Sequence, residues 1–248
     1  MKKFLYRLID RISEWDRYPQ PNWFQKRLLG MYTDSIDTDF TARKLASVQS
    51  VRFILENMRK VKNFPTDYDL HEYVSTKTLD PELRKTGLVL EFGVATGRTL
   101  NQFARFLPEK TVHGFDGFDG LPEVWDSRFE AGAFKRDTLP DVRNNCKLHV
   151  GWFDYTLPEF LEDATHQAPI ALLHIDADLY SSTKTVLDLL QKQIVPGTVI
   201  VFDEYLNYPG WQLDEFRAWQ EHVAAHRIKF EYIGYVSRHQ QVAVRVLK

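Results

Sequence analysis

The sequence lacks the features that mark disulfide-stabilised, membrane-spanning and nucleic-acid-binding proteins. Its 248 residues include one cysteine, Cys146, so no disulfide forms within the chain and a reducing, cytoplasmic compartment is expected. No apolar run reaches the about 18–20 residues that a bilayer-spanning helix needs. Acidic and basic residues nearly cancel, 34 against 32, so the basic excess typical of nucleic-acid-binding proteins is missing. We therefore expect neither a transmembrane segment nor a nucleic-acid partner.

The most informative stretch is residues 88–97, which read LVLEFGVATG. An apolar run ends in a carboxylate and enters a turn with two glycines, Gly93 and Gly97, and residues 98–107 follow with helical spacing. This pattern predicts a strand, a glycine turn and a helix. Glycines let a ligand approach the backbone, and the helix start offers free N–H groups. The stretch therefore predicts a nucleoside-binding site, although a glycine turn that only joins strand to helix fits equally well.

Alternating strand and helix patterns after residue 87 predict a parallel α/β sheet with helices on both faces. The expected strands are 88–93, 111–116, 147–150, 170–176, 197–203, 229–235 and 240–247, and the expected helices are 98–107, 157–164, 182–193 and 212–227. The last two strands form a predicted hairpin, so the final strand is expected to run antiparallel. We divide the chain into a helical N-terminal extension, 1–86, and a ligand-binding domain, 87–248.

Two amphipathic segments stand in the N-terminal extension. The first 15 residues are basic and then apolar, but charges interrupt the apolar run and no small-residue cleavage site follows, so a secretion signal is not expected. Their apolar face suits packing on the domain or on a second subunit, with a membrane-surface helix as the alternative. Residues 41–62 form a second predicted helix, with Leu45, Val48, Val51, Ile54, Leu55 and Met58 at spacings of one to four.

Carboxylates follow several predicted strands. Asp116 ends the second strand, nineteen residues after Gly97, where a carboxylate can accept hydrogen bonds from a ribose diol. The spacing is not G-x-G-x-x-G, which disfavours a dinucleotide. After the next strand, Trp152 suits stacking on a purine or burial in the core. The glycine turn, Asp116 and Trp152 together favour a small nucleoside-bearing ligand over NAD.

Two further strands end in acid, at Asp176-Ala-Asp178 and at Asp203-Glu204. Because the carboxyl ends of neighbouring parallel strands meet at one edge, these carboxylates are expected to crowd together and to need a cation. Oxygen-only ligands suit Mg²⁺ or another hard divalent ion. The alternative is that they cap the following helices. Capping accounts for one of these acids but not for two acidic pairs at two strand ends.

The chain resembles the class I methyltransferases that use S-adenosylmethionine, and within them the macrocin O-methyltransferase family. The resemblance covers about residues 86–248. Its motifs are EFGVATG at 91–97, GFDGFDGLPE at 114–123, GWFDYTLP at 151–158, HIDADLYSST at 174–183 and PGTVIVFDEY at 196–205. The resemblance implies a Rossmann-like, seven-stranded sheet, mostly parallel with an antiparallel last strand. It also implies an enzyme that methylates a hydroxyl of a sugar or natural product.

The resemblance also implies which residues bind the cofactor and which bind the metal. The expected cofactor-binding residues are Glu91, Gly93, Thr96, Gly97, Arg98, Asp116, Trp152, Phe153 and Asp154. The expected metal ligands are Asp176, Asp203 and Glu204. The family commonly has aspartate where this chain has Glu204, so that ligand departs from the pattern.

The expected reaction transfers a methyl group in line from a sulfonium to a hydroxyl oxygen of a small molecule or glycan. Asp178 is the first choice for general base, beside Asp176, with Tyr180 and His174 in reserve. His174 lies in an apolar strand, which favours a buried core histidine. A metal-dependent glycosyltransferase, an NAD-dependent sugar enzyme and a non-catalytic cofactor-binding scaffold are the alternatives. By analogy with the family we expect a homo-oligomer.

Overall fold

The computed structural model describes residues 37–125 and 128–248. The amphipathic segment at residues 4–15 lies outside the described residues. The helices are α1 (Thr38–Asn57), α2 (Asp67–Tyr73), α3 (Pro81–Thr86), α4 (Arg98–Phe106), α5 (Phe153–Glu162), α6 (Tyr180–Leu189) and α7 (Glu215–His226). The strands are β1 (Asn63–Phe64), β2 (Leu88–Phe92), β3 (Val112–Asp116), β4 (Cys146–Val150), β5 (Ile170–Ile175), β6 (Val199–Phe202), β7 (Phe230–Val236) and β8 (Val242–Val246).

These strands form one sheet in the order β1-β7-β8-β6-β5-β2-β3-β4. β8 runs antiparallel to both of its neighbours, β6 and β7, and the other pairs are parallel. The fold is therefore the predicted Rossmann-like sheet with an antiparallel last strand, extended by the two-residue β1. The chain leaves β2 for β3 and β4 on one side and later fills β5 and β6 on the other. The reversal of strand order falls between β2 and β5, where open α/β sheets bind their ligands.

Residues 63–86, the second part of the N-terminal extension, are folded onto this sheet. β1 pairs with β7, and α2 buries Leu70 fully under the sheet. The sequence signal was weak because α2 and α3 have seven and six residues, and helices this short depend on tertiary packing. Thr66 and Asp80 cap the two helices with their side chains, which is the local signal that the sequence offered.

The helix expected at 41–62 is α1, but most of its apolar stripe does not face the core. Leu45, Val48, Val51 and Leu55 are each more than half exposed. Phe53 instead makes the main contact, edge-on against Trp211, Phe216 and Tyr232. Periodicity identified an apolar helix face correctly, but it does not tell which face the domain covers.

None of the helices in the described part of the chain has the length and hydrophobicity that a bilayer crossing requires.

Candidate active site at the carboxyl edge of the sheet

A cavity of about 750 Å³ opens beyond the carboxyl ends of β2, β3, β5 and β6. Its floor includes Gly93 after β2, Asp116 at the end of β3, Asp176 after β5 and Glu204 after β6. The cavity therefore lies where the strand order reverses, and it joins the glycine turn to the acidic strand ends, as the sequence predicts. Its volume is within the range of pockets that hold small organic ligands.

The glycine turn is built around a close backbone crossing. Gly93 has φ +90°, and a Cβ there would lie 1.7 Å from the backbone oxygen of Asp176. Gly97, with φ +75°, starts α4 in the left-handed conformation. Gly93 is thus required by the approach of the segment after β5 as well as by any ligand, because an L side chain fits neither the space nor the backbone angle.

Asp116 anchors the turn. Its Oδ2 accepts hydrogen bonds from the backbone N–H groups of Val94 and Ala95, each at 2.8 Å, and its Oδ1 accepts from Phe118 N–H. Asp116 also lines the cavity. The carboxylate therefore fixes the floor of the pocket, and its position at the end of β3 is the one from which a ribose is bound in this kind of fold.

Trp152, Phe153 and Asp154 line the same cavity beside Asp116. Trp152 packs over Gly117, where a Cβ would lie 3.4 Å from the indole, and Phe153 packs edge-on against Phe92 with ring centroids 5.2 Å apart. Helix α5 begins at Phe153 rather than at 157. Pro158 lies inside the helix.

Four residues predicted to bind the cofactor, Glu91, Thr96, Gly97 and Arg98, are not among those that line the cavity. Glu91 is fully buried and accepts a hydrogen bond from Thr99 Oγ1 at 2.8 Å. Arg98 forms an ion pair with Asp67 on α2, and the side chain of Thr96 is exposed. The role of these residues in cofactor binding stays a prediction. Glu91 supports the start of α4 through its hydrogen bond with Thr99.

The cavity's acidic cluster consists of Asp176, Asp178 and Glu204, whose carboxylates lie within 4.8 Å of one another. Burial and the neighbouring Asp203 raise the pKa of Asp176 and of Glu204 well above their ordinary values. The same two causes raise the pKa of Asp178 to about 7. Glu204 Oε2 has no hydrogen-bond partner within the described residues. Such a set of crowded oxygens favours a bound cation.

Helix capping does not explain these acids. The N-cap of α6 is Leu179, and no side chain in the described chain hydrogen-bonds to that helix start. Asp178 sits just before it with φ +58°, a strained angle for a residue with a side chain. The backbone thus holds this carboxylate in the cavity lining at a cost in strain.

Asp203 faces away from this cluster. Its Oδ1 lies 3.7 Å from His174 Nε2, and its Oδ2 accepts a hydrogen bond from Gln241 at 3.0 Å. Burial acts to raise the pKa of Asp203, but the imidazole of His174 outweighs it and lowers the pKa. In turn, burial opposes the charge on His174, but Asp203 and Glu91 raise its pKa to about 10. His174 is thus a buried histidine held between two carboxylates.

The structure adds residues to the site and its support that no sequence pattern marks. Glu215, at the start of α7, accepts hydrogen bonds from the N–H groups of Ala177 and Glu204 and so ties the two acidic strand ends together. Trp125, stacked on Phe129 at 5.3 Å, forms an outer wall with Phe134. These aromatics lie in the long β3–β4 loop, which has no periodicity to read. Tyr180, a reserve base, donates to Glu221 on α7 instead.

Comparison with known proteins finds a family match over part of the chain. Residues 90–205 match the family described as methyltransferase domain, and this stretch contains most of the cavity floor. The chain is also similar to demethyldecarbamoylnovobiocin O-methyltransferase from Streptomyces niveus, with 28% identity over 131 residues. That match covers 44% of this chain and 48% of the relative. The chain thus spans about half the length of this relative.

A second relative is the 8-demethyl-8-(2,3-dimethoxy-alpha-L-rhamnosyl)-tetracenomycin-C 4'-O-methyltransferase from Streptomyces olivaceus. It is 29% identical over 109 residues, which cover 36% of this chain and 40% of the relative. Among solved structures, the O-methyltransferase NovP has a TM-score of 0.54 at 22% identity, covering 73% of this chain and 79% of NovP. The calicheamicin methyltransferase CalS11 has a TM-score of 0.55 at 21% identity, covering 92% and 95%. These likenesses show the fold.

Proposed function

We propose that the protein is an S-adenosylmethionine-dependent O-methyltransferase of the macrocin O-methyltransferase family, acting on a hydroxyl of a sugar in a glycan or natural product. The observation that carries the proposal is one cavity that joins the glycine turn, Asp116 and Trp152 to the carboxylates of Asp176, Asp178 and Glu204. The methyltransferase-domain match over residues 90–205 supports it. So do the two relatives, both named as O-methyltransferases.

The cofactor fits along the floor of the cavity. Asp116 would hold the ribose, Trp152 and Phe153 would border the adenine, and Asp154 would accept from its amino group. The methionine end would then lie over Gly93, toward Asp176. This orientation places the sulfonium methyl group beside the acidic cluster, which is where a hydroxyl must arrive for in-line transfer.

Asp176 and Glu204 would hold a divalent cation, with the carboxylate of Asp178 within 4.8 Å of both. Two observations support the fit: every donor is a carboxylate oxygen, and Glu204 Oε2 lacks a partner among the described residues. Mg²⁺ prefers such ligands. A bound cation would supply positive charge that lowers the pKa of the acceptor hydroxyl and orients it. Asp203 stays a predicted ligand, but it reaches the cluster only if its side chain turns.

We assign proton removal to Asp178. Its carboxylate lines the cavity next to Asp176, and its backbone angle directs it there at a cost in strain. The acceptor would lie between this carboxylate and the aromatic wall of Trp125, Phe129 and Phe134. Flat aromatic faces suit the apolar face of a sugar ring or an attached ring system. The solved CalS11 structure is described as a TDP-rhamnose 3'-O-methyltransferase, which favours a sugar acceptor.

The test is methyl transfer from radiolabelled S-adenosylmethionine to a panel of glycosides, with Mg²⁺ or with chelator. Asp178→Asn is expected to lower kcat by about 10²–10⁴-fold, the usual contribution of a general base, while cofactor affinity stays unchanged. Asp188→Asn, on the exposed side of α6 where it pairs with Lys184, is the matched control and should keep full activity.

Parallel assays with NAD and with sugar nucleotides test the two alternatives, an NAD-dependent sugar enzyme and a metal-dependent glycosyltransferase. Turnover of either compound, without methyl transfer to any glycoside, would contradict the proposal. Wild-type kcat in Asp178→Asn would leave methyl transfer standing but remove the assigned base.

A further inference from the structure

The turn between β7 and β8 brings an imidazole to the cavity. His239, in that turn, lines the cavity together with Glu204 and Gln240, and its side chain is exposed. No step of the proposed methyl transfer uses this ring. An imidazole offers one nitrogen that donates a hydrogen bond and one that accepts, and the tautomer decides which is which. The role of His239 therefore depends on where its ring hydrogen lies.

The turn is fixed to the segment that follows β6. Gln240 O accepts hydrogen bonds from the backbone N–H groups of Tyr205 and Leu206, each at 3.2 Å. The side-chain amide of Asn207 donates to His239 O at 2.6 Å. These three hydrogen bonds join the backbone around His239 to the strand end that carries part of the acidic cluster, so the imidazole is held in place beside that cluster.

Gln241, directly before β8, sets the tautomer of this imidazole. Its side chain is almost completely buried, and its Nε2 donates to Asp203 Oδ2 at 3.0 Å and lies 2.8 Å from His239 Nδ1. An ionised carboxylate only accepts hydrogen bonds, so the amide must turn its nitrogen, and not Oε1, toward Asp203. The amide nitrogen has one hydrogen for each of the two contacts. His239 Nδ1 therefore accepts, which places the ring hydrogen on Nε2.

The amide of Gln241 keeps this orientation at a cost. Its Oε1 is buried and has no hydrogen-bond partner within residues 37–125 and 128–248. A buried acceptor without a partner is unfavourable, and such an exception calls for an explanation. The explanation lies on the other side of the amide, where Nε2 satisfies Asp203 and His239 at the same time.

From these contacts we propose that His239 binds the acceptor by donating a hydrogen bond from Nε2–H to one of its oxygens, and that Gln241 is the positioning residue that fixes this tautomer. The acceptor contact rests on the proposed function, whereas the tautomer does not. A donor in this place selects acceptors with a second oxygen near the methylated hydroxyl, such as the vicinal diol of a sugar. A nitrogen that already carries hydrogen cannot take the hydroxyl proton, so proton removal stays with Asp178.

The tautomer is tested by long-range ¹H–¹⁵N correlation NMR of the full-length protein at about pH 8, where an ordinary imidazole is neutral. The signals of His239 are those lost in His239→Gln. In wild type we expect the hydrogen on Nε2 alone, and in Gln241→Met a mixture of both tautomers. Hydrogen on Nδ1 in wild type, or an unchanged spectrum in Gln241→Met, would overturn the assignment of Gln241.

The acceptor contact is tested with a glycoside that wild type methylates and with its deoxy analogues, each lacking one hydroxyl beside the methylated one. For one analogue we expect kcat/KM of wild type to fall about tenfold, as for one lost hydrogen bond. His239→Phe should lose about as much with the intact glycoside, mainly through KM, and should no longer distinguish it from that analogue. His239→Gln places an N–H donor at the position of Nε2 and should restore the difference.

Arg238→Ala, at the neighbouring exposed position of the same turn, is the matched control and should behave as wild type does. Wild-type discrimination in His239→Phe would overturn the acceptor contact. Failure of methyl transfer to every glycoside would contradict the proposed function and the acceptor contact with it, whereas the NMR spectra would still decide the tautomer.

Discussion

Asp203 and Glu204 are neighbours in sequence, yet the structure gives them opposite surroundings. Glu204 lies on the cavity side with Asp176 and Asp178, whereas Asp203 lies against two imidazoles on the far side. Both acids follow Phe202, the last residue of β6. The N–H group of Asp203 still donates to Ile175 O on β5, whereas that of Glu204 donates to Glu215 at the start of α7. Two adjacent acids after a strand therefore lie in two different surroundings.

The difference between Asp203 and Glu204 is tested most directly by neutralising each acid in turn. Glu204→Gln should weaken Mg²⁺ activation of methyl transfer at least about tenfold more than Asp203→Asn does, since direct ligands matter more than surrounding groups. The measurement is the Mg²⁺ concentration that gives half-maximal rate. Asp203→Asn should instead lower the Tm. Equal loss of Mg²⁺ response in both variants would mean that Asp203 turns into the cavity.

A second prediction concerns the floor of the cavity. Asp116→Ala removes the acceptor for three backbone N–H groups and the proposed ribose contact, so the Kd for S-adenosylmethionine should rise by about 10–100-fold, as for lost charge-assisted hydrogen bonds. Calorimetric titration measures this. Asp119→Ala, an exposed aspartate in the same loop, is the control, and equal affinities in the two variants would refute the assignment.

The smallest expected effect is on the pH dependence of stability, and it comes from His113 and His149. Burial, followed by neighbouring histidines, lowers the pKa of His113 to about 3 and that of His149 to about 4. The rings lie 3.0 Å apart, Nδ1 to Nε2. Because these pKa values lie below the ordinary value near 6.5, the two groups stabilise the fold fully above pH 6.5. That stability is lost as the pH falls through 6.5 toward 4.

His113→Phe should therefore reduce the fall in Tm between pH 7.5 and pH 5 by about 2–4 °C. Differential scanning fluorimetry at the two pH values measures it. His174 is held between two carboxylates and has a raised pKa of about 10, so its contribution to stability grows as the pH falls toward 6.5 and opposes this fall. An identical fall in wild type and His113→Phe would exclude the His113–His149 pair as the cause.

The order of strands and helices from β2 onward was predictable, because alternating apolar patterns and glycine turns are local signals. The strand-end acids and Asp116 were predictable for the same reason: each directly follows an apolar run. The side that Asp203 and Glu204 each take was not predictable, because both lie beyond β6 and are held by contacts with β5 and α7.

The remaining parts depend on contacts that are distant in sequence. Glu215 supports Glu204 across eleven residues, and His71 reaches His174 across 103. Trp125 is fixed by a hydrogen bond from Nε1 to Asp214 on a different element. Each of these residues lies in a short helix, at a helix start or in a long loop. No periodicity in the sequence marks them for a site.

The most direct measurement is an anomalous diffraction map of crystals grown with S-adenosylhomocysteine and Mn²⁺. The account predicts one manganese peak bonded by Asp176 and Glu204, at about 2.0–2.2 Å as for hard divalent cations, with the sulfur of the ligand over Gly93 facing the ion. A manganese peak only at His71, His174 and Asp203, or a ligand bound outside the cavity between Gly93 and Trp152, would contradict it.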